Sequence, residues 1–266
     1  MRREVFGLRA WQGAVTAMLE PHQHSEIELN YVTSGGLRYL FGGREVIVQR
    51  GAWLAFWGAY PHHLTGFEAG TRCIWLTLPL ATFLRFALPA KLTELVLHNR
   101  PVLERASGDA AMFQRWTRTP PHGEHGRILE LELEARLRRV ALGLTATNGR
   151  RSRSSPAPEG KAEQIARFVS EHHLEQVGVP EIASAVNLHP NYASGVFKAQ
   201  FGMTILEYLT QHRVAHAQRL LATTHRGVLA VAFESGFGSS SAFYVAFERA
   251  TGCSPRAYRQ RVQGEG

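Results

Sequence analysis

The chain has 266 residues, of which 44% are hydrophobic, and a formal net charge of +8. This length and apolar content suit one large or two ordinary globular domains and exclude a disordered chain. No run reaches the ~18 apolar residues of a membrane span, no signal peptide is evident, and the two cysteines lack metal-ribbon or disulfide-framework spacing. The basic excess favours an acidic partner such as nucleic acid, and the cysteine usage favours the reducing cytoplasm.

Residues 1–80 carry the signals of a small β-barrel. Short segments rich in β-branched and aromatic residues alternate with glycine-containing turns, as expected for consecutive strands. The segments are EIELNYVT, LRYLF, EVIVQ, WLAFW, HLTGF and CIWLTL. Their close spacing predicts antiparallel strands that close on themselves.

The stretch PHQHSEIELNYVTSG brings together residues that could bind a metal ion. In a strand, side chains alternate between two faces, so His22, His24 and Glu28 share one face. The later stretch RGAWLAFWGAYPHH supplies His62 as a further nitrogen donor. Three interpretations follow: an iron or manganese site for oxygen chemistry, the polar lining of an effector pocket, or structural histidines paired with Glu28 or the backbone.

Residues 81–146 change to helical spacing. In RILELELEARLRRVALGL, apolar residues recur every three or four positions, which predicts a helix with one apolar stripe. The stripe either covers the barrel or pairs with the same helix of a second subunit in an antiparallel dimer. The segment TNGRRSRSSPAPEG, residues 147–160, has the composition of a flexible linker, and we place the domain boundary there.

The remaining region, residues 161–262, contains an internal repeat. IASAVNLHPNYASGVFKAQFGMTILEY aligns with VAFESGFGSSSAFYVAFERATGCSPRAY, at a separation of 49 residues before the turn and 50 after it. Each copy predicts a helix, a tight turn and a second helix, over residues 179–201 and 228–251. The turns, second-helix starts and second-helix ends are predicted at Asn187 and Gly236, Pro190 and Ser239, and Gly202 and Gly252.

Between the two copies, ILEYLTQHRVAHAQRLLATT is long enough for one connecting helix. Two helix-turn-helix units held apart by such a helix can enter successive major grooves of DNA.

This region resembles the DNA-binding domain of the AraC/XylS family of transcription regulators over nearly its whole length. The resemblance is carried by Ile182, Ala183, Phe197, Lys198, Gly202, Tyr208, Arg213, Ala217, Leu220, Leu221, Ala232, Gly236, Phe237, Phe243, Phe247, Gly252, Ser254, Pro255, Tyr258 and Arg259. It implies that the exposed face of the second helix in each unit contacts bases. The candidate DNA-binding residues are Pro190, Asn191, Tyr192, Ser194, Lys198, Ser239, Ser240, Ser241 and Tyr244.

Two further positions on the exposed faces of these second helices depart from the family pattern. Where many relatives have arginine, this chain has Gly195 and Val245. Asn191 therefore becomes the best direct reader, since an amide can pair bidentately with adenine. Lys198 is assigned to phosphate, and the second unit is expected to read little sequence.

The first domain is similar to the cupin sensor domains of the same family. His22, His24, Glu28 and Gly35 follow the first cupin motif, and residues 51–62 resemble the second. The sequence of these two motifs is most similar to that of the melibiose-operon regulators, a sugar-sensing branch of the family. The candidate effector-binding residues are His22, His24, Glu28, Tyr39, Trp53, Trp57 and His62, the tryptophans offering a flat face to a sugar ring. A divalent metal could occupy His22, His24, Glu28 and His62, although no cofactor is required.

The sequence thus predicts an α+β multidomain protein. Its parts are a jelly-roll-like cupin barrel (1–80), a helical coupling or dimerisation segment (81–146), a flexible linker (147–160) and an all-α AraC-type domain with two helix-turn-helix units (161–262). We expect a cytoplasmic, sequence-specific transcription regulator, an effector-responsive activator rather than an enzyme. Its expected partners are double-stranded promoter DNA, a sugar-like effector, RNA polymerase and a second copy of the chain, with no membrane.

Coupling between the two domains is expected to pass through the helical segment and the linker. The competing interpretation is a metal-dependent cupin enzyme with an accessory helical domain.

Overall fold

The computed structural model describes residues 7–16, 18, 20–146 and 160–264, so the predicted linker lies outside the described residues except for Gly160. Its N-terminal part contains two antiparallel sheets. The strands are β1 (Arg9–Ala14), β2 (Ile27–Ser34), β3 (Gly36–Phe41), β4 (Arg44–Gln49), β5 (Ala52–Trp57), β6 (His62–Phe67), β7 (Arg72–Leu78) and β8 (Val102–Arg105). The larger sheet has the order β1-β7-β2-β5-β8 and the smaller one β4-β3-β6.

Apolar side chains from both sheets meet between them and form one core. Val32, Leu54 and Cys73 of the larger sheet pack with Phe41 and Leu64 of the smaller sheet. We call the side of the larger sheet that faces this core its inner face. The six strands predicted from sequence are confirmed, whereas β1 and β8 were not predicted. Because β8 pairs with β5, the sheet extends beyond the range 1–80 expected for the barrel.

The other side of the larger sheet, its outer face, is covered by helices. These are α1 (Leu80–Arg85), α2 (Ala90–Leu97), α3 (Ala110–Trp116) and α4 (Gly123–Ala146). On α4, Leu129, Leu133, Leu137 and Val140 are all buried in the core that the helices share with the sheet. Of the two predicted roles for this stripe, the structure shows the first, covering the strands, because the stripe packs on the larger sheet.

The C-terminal region is entirely helical among its described residues. Its helices are α5 (Lys161–His172), α6 (Val179–Ala185), α7 (Pro190–Phe201), α8 (Ile205–Thr223), α9 (Val228–Glu234), α10 (Ser240–Thr251) and α11 (Pro255–Gln263). One core joins α5, α6 and α7 to the start of α8, and a second core joins the end of α8 to α9, α10 and α11. With 19 residues, α8 is about 28 Å long at ~1.5 Å per residue.

The local geometry predicted for the two helical pairs is confirmed. Asn187 and Gly236 have φ of 56° and 82° in the turns. Pro190 lies in the first turn of α7, and the Ser239 side chain caps α10 by accepting from the Ala242 amide. Left-handed residues end both helices, at Gly202 and Gly252. One cap was not predicted: His189 Nδ1 accepts a hydrogen bond from the Asn191 amide at 3.3 Å.

The sheets contact the helical region directly. Ala215 and Ala222 of α8 are buried in the core that is otherwise formed by the N-terminal part. The ring of Tyr60, in the turn between β5 and β6, lies 5.5 Å from the ring of His212 on α8. Arg44 forms an exposed ion pair with Glu171 of α5 at 2.7 Å. The sheet-containing part therefore touches α8 directly, and neither the helical segment nor the linker lies between them at these contacts.

Among the described helices, none combines the length and apolar character that crossing a membrane requires.

Candidate sensor site and nucleic-acid interface

The predicted cluster of His22, His24, Glu28 and His62, which we call the tetrad, is assembled in the structure. One ligand atom from each residue lies within 4.8 Å of the others. The backbones of His22 and His62 exchange two hydrogen bonds, of 3.1 and 3.2 Å, and this bridge holds the two imidazoles together. Glu28 projects from β2. The His24 ring fills the space above Gly58, where a Cβ atom would come within 2.2 Å of it.

Hydrogen bonds fix the protonation of the tetrad. His24 Nε2 donates to Glu28 Oε2 at 2.7 Å, and His24 Nδ1 lies 3.3 Å from Glu26 Oε2. Burial opposes a charge on His24, but the bonds to Glu26 and Glu28 outweigh it and raise its pKa to about 9. Burial would likewise raise the pKa of Glu28, and His24 overrides it and lowers that pKa to about 2. The two residues therefore form a buried ion pair.

The other two histidines are neutral. Burial lowers the pKa of His62 well below its ordinary value and also lowers that of His22. His62 Nδ1 lies 3.0 Å from the Tyr60 carbonyl oxygen and donates to it, which leaves the lone pair on Nε2. This lone pair lies 3.0 Å from His22 Nε2, which donates to it.

The tetrad fits a divalent transition metal by its donor set. Three imidazoles and one carboxylate suit zinc, iron, manganese or nickel. The bond from His62 Nδ1 to a backbone carbonyl is the second-shell contact that orients a metal-binding imidazole. In the described structure, the positive charge of protonated His24 balances the negative charge of the Glu28 carboxylate. A bound cation would balance it in place of His24.

Further polar groups lie on the inner face beside the tetrad. Asn30 pairs across strands with Trp75, and Glu28 with Thr77 in the next row. Asn30 Nδ2 donates to the Tyr39 hydroxyl at 2.9 Å, while Asn30 Oδ1 is buried and has no hydrogen-bond partner among the described residues. Burying an amide oxygen without a partner is costly, so this atom identifies a position where a ligand or water would be stabilised.

A pair of tryptophans lies beside Asn30 in the same cross-strand row of the larger sheet. Trp11 of β1 lies opposite Trp75 of β7, and their rings stack with centroids 6.1 Å apart. Both side chains are half-buried. Sequence reasoning missed Trp11, because RAWQGA lacks the alternation that signals a strand.

Two predicted effector-binding residues point away from the inner face. Trp53 and Trp57 lie in the core between the larger sheet and the helices. Trp53 Nε1 donates to Asp109 at 3.1 Å, and Trp57 Nε1 donates to the Ser25 carbonyl oxygen at 3.0 Å. The prediction that these two tryptophans line the effector pocket is therefore corrected. Side chains alternate along β5, so Leu54 and Phe56 lie on the inner face and the tryptophans lie on the outer face. Tyr39 lies on the inner side, as predicted.

The second helix of each helical pair presents an exposed face. On α7, Phe197 is buried in the core, whereas Asn191, Gly195 and Lys198 are exposed. On α10, Phe247 is buried and Ser241, Val245 and Glu248 are exposed. The nine candidate DNA-binding residues all lie on these helices or at their caps, and none is fully buried.

Comparisons with known proteins agree with this geometry. The family model described as "Helix-turn-helix domain" matches residues 182–261, from within α6 to within α11, and so includes all of the second helical pair and all but the start of the first. The HTH-type transcriptional activator RhaR of Klebsiella pneumoniae is 42% identical over 94 residues, covering 35% of this chain and 30% of that protein. A crystal structure of the DNA-binding domain of AdpA in complex with a target DNA has 31% identity and a TM-score of 0.38, and covers 40% of this chain and 95% of the other.

The helix-turn-helix family match and the sequence similarity to known regulators define the class of the protein: it is a DNA-binding transcription regulator of the AraC/XylS type. Within that class, the chain is similar over most of its length to the melibiose operon regulatory protein of Escherichia coli. The two are 28% identical over 253 residues, which cover 91% of this chain and 84% of that protein.

Proposed function

We propose that this regulator is an effector-responsive activator in which a cupin barrel senses a small molecule and two helix-turn-helix units read the promoter. The observation that carries the proposal is the position of α8. This helix is shared by both C-terminal cores, and it is also the helix that the sensor turn contacts through Tyr60.

Tyr60 provides a short path between the two regions. Its carbonyl oxygen accepts the hydrogen bond from His62 of the tetrad, while its ring packs on His212 and its hydroxyl accepts a bond from Arg219. A shift of His62 on ligand binding would therefore move a side chain that rests on α8. Such a contact gives the effector different interaction energies in two domain arrangements, which allosteric coupling requires.

Both helical pairs fit the role of DNA readers. They share their turn geometry and both C-terminal caps, and each has its own apolar core. The rigid α8 between them fixes their separation, as reading of successive major grooves on one DNA face demands. The family match across both pairs supports this assignment.

The proposed effector is a sugar. Its binding face is the inner face of the larger sheet, where the Trp11–Trp75 pair offers an apolar platform and Asn30, Tyr39 and Glu28 offer hydrogen-bonding groups. The name of that Escherichia coli relative, which refers to the melibiose operon, supports a sugar rather than an aromatic or lipid effector.

We further propose that the tetrad can hold a divalent transition metal through His22, His24, Glu28 and His62. When bound, such an ion would supply a Lewis-acidic position for a sugar hydroxyl. His62 would keep its orientation through the Tyr60 carbonyl oxygen. Glu28 would exchange its ion pair with His24 for the cation, and His24 would release one ring proton to solvent so that a nitrogen lone pair could bind the metal.

Two protein partners complete the proposal. Ile128 and Leu131 are 45% and 48% exposed on the side of α4 that faces away from the sheet, and they support a homodimer. RNA polymerase is the expected partner of an activator bound at a promoter.

The test uses the full-length protein, its own upstream region as DNA, and mono- and disaccharides with and without zinc, nickel, manganese or iron. We expect one sugar to raise the melting temperature and to change the affinity for DNA. Sequence-preferring DNA binding that no sugar or metal alters would contradict the sensor role. Oxygen-dependent consumption of a sugar would favour the enzyme interpretation instead.

A further inference from the structure

The two helices proposed to read DNA, α7 and α10, are called the reading helices. They differ most at the centre of their exposed faces. The second copy of the repeat lies 50 residues after the first over these helices, so Gly195 corresponds to Val245 and Lys198 to Glu248. Val245 follows Ser241 by one helical turn, on the side opposite the buried Phe247. It therefore lies where α10 would approach the floor of the major groove.

Val245 is 69% exposed, more than any other large apolar side chain among the residues that the structure describes. Its neighbour Tyr244 is 41% exposed. A β-branched residue is a poor helix former, and an exposed one gains nothing from burial within its own chain. The local structure of α10 therefore offers no reason for valine at this position.

The charge beside Val245 also differs between the units. On α7, Lys198 can bind phosphate and is followed by Ala199. At the corresponding positions of α10, Glu248 repels phosphate and the exposed Arg249 only offsets that charge, so α10 has no net positive charge. Because phosphate contacts supply affinity without sequence information, the second unit obtains less of this general affinity. Base contacts must supply a larger share of its binding.

Apolar side chains recognise one feature of the major groove, the 5-methyl group of thymine. We propose that Val245, with Tyr244 beside it, reads thymine methyl groups, so that the second unit selects T·A pairs by apolar contact while the first selects bases by hydrogen bonds. This inference rests on the proposed role of the second pair as a DNA reader. It revises the expectation that the second unit reads little sequence.

The test replaces thymine by deoxyuridine, which removes only the methyl group. Full-length protein first selects its preferred duplex from a random library, and hydroxyl-radical footprinting assigns a half-site to each unit. Each thymine of both half-sites is then replaced singly. We expect at least one replacement in the second half-site to weaken binding about fourfold, the loss expected for one buried methyl. Replacements in the first half-site should have no such effect.

The Val245→Ala protein should lose this discrimination, binding thymine and deoxyuridine duplexes within about twofold of each other. The matched control is Leu206→Ala, which removes another exposed apolar side chain, 52% exposed at the start of α8, and should preserve the discrimination. Circular dichroism confirms that both variants are folded.

The failures are distinguishable. A protected second half-site that lacks thymine, or that binds equally well with deoxyuridine, overturns the methyl-reading inference and leaves the two-unit reader intact. A footprint confined to one half-site overturns both.

Discussion

The polar groups of the tetrad are buried, whereas those of the reading helices α7 and α10 are exposed to solvent. Glu28 and His62 are 5% and 1% exposed, so each depends on a protein partner for its charge or its tautomer. Asn191 and Lys198 are exposed, and under the proposed function they make their contacts only when DNA binds. A substitution in the tetrad should therefore cost folding free energy first and function second, whereas a substitution on α7 should cost binding alone.

The largest expected effect follows from Glu28→Ala. It leaves the imidazolium of His24 buried without its 2.7 Å partner, and breaking a buried ion pair from one side typically costs ~3–5 kcal/mol. The five tryptophans, Trp11, Trp53, Trp57, Trp75 and Trp116, all lie in the N-terminal part, so fluorescence during urea unfolding reports on this part selectively.

The matched control for this variant is Glu68→Ala, an exposed carboxylate directly after β6, which should unfold like the wild type. An unchanged denaturation midpoint in Glu28→Ala would show that the buried pair does not stabilise the barrel, and would remove the contrast between the two regions.

The second expected effect follows from Asn191→Ala. The loss should be ~1–3 kcal/mol at the selected operator, the range for one bidentate base contact, with no change in stability. Lys198→Ala is the comparison: it should weaken binding to operator and random duplexes alike and reduce the salt slope by about 0.9, as expected for one phosphate. If Asn191→Ala instead weakened binding to both duplexes equally, Asn191 would be a phosphate contact.

Sequence reasoning succeeded where the determinants are local. The turns at Asn187 and Gly236 need positive φ, and the helix starts at Pro190 and Ser239 need particular end groups, so a few adjacent residues specify them. In EIELNYV, polar and apolar residues alternate, and this alternation correctly grouped Glu28 with His22 and His24.

The same reasoning failed where a strand has apolar residues on both of its faces. In AWLAFW of β5, both faces are apolar, so alternation alone cannot show which tryptophans point inward. Trp53 and Trp57 face the helices because long-range packing, including the bond to Asp109, decides their direction. The four-residue β8 exists only through its pairing with β5, and no local signal in VLER predicts it.

The third expected effect concerns pH and the histidines on α8. Burial chiefly, and then the charge of Arg219, lower the pKa of His216 to about 3. Because the unfolded chain protonates near 6.5, this neutral histidine favours folding less and less as the pH falls below that value. The expected contribution is at most ~1.4 kcal/mol per pH unit.

Between pH 6.5 and 5 the stability declines through His216 together with the other buried histidines of lowered pKa, so the contribution of His216 is obtained by comparing variants. His24, with its raised pKa, adds stability that is complete below pH 6.5 and lost as the pH rises through about 9. Glu28, with its lowered pKa, adds stability that is lost only below about 4.5. His216→Gln should therefore flatten the decline in stability within the window, measured by urea unfolding and circular dichroism. The exposed control His225→Gln should not, and equal slopes in all three proteins would refute the assignment.

The smallest expected effect, Gly195→Ala, has opposite signs in folding and binding. Glycine inside a helix costs ~0.5–1 kcal/mol relative to alanine, and a Cβ atom at Gly195 would meet no other atom within 4 Å. The substitution should therefore raise the free energy of unfolding by about that amount. If Gly195 lies against the floor of the major groove, the added methyl should also hold α7 away from the bases.

Binding to the selected operator should then weaken about fivefold to tenfold, equivalent to ~1–1.4 kcal/mol. Binding to random DNA should change little, because phosphate contacts tolerate a more distant helix. A variant that is more stable and binds the operator as tightly as the wild type would place Gly195 outside the groove. Stability gained together with specificity lost would show that the exposed centre of α7 is shaped for DNA at the expense of its own helix.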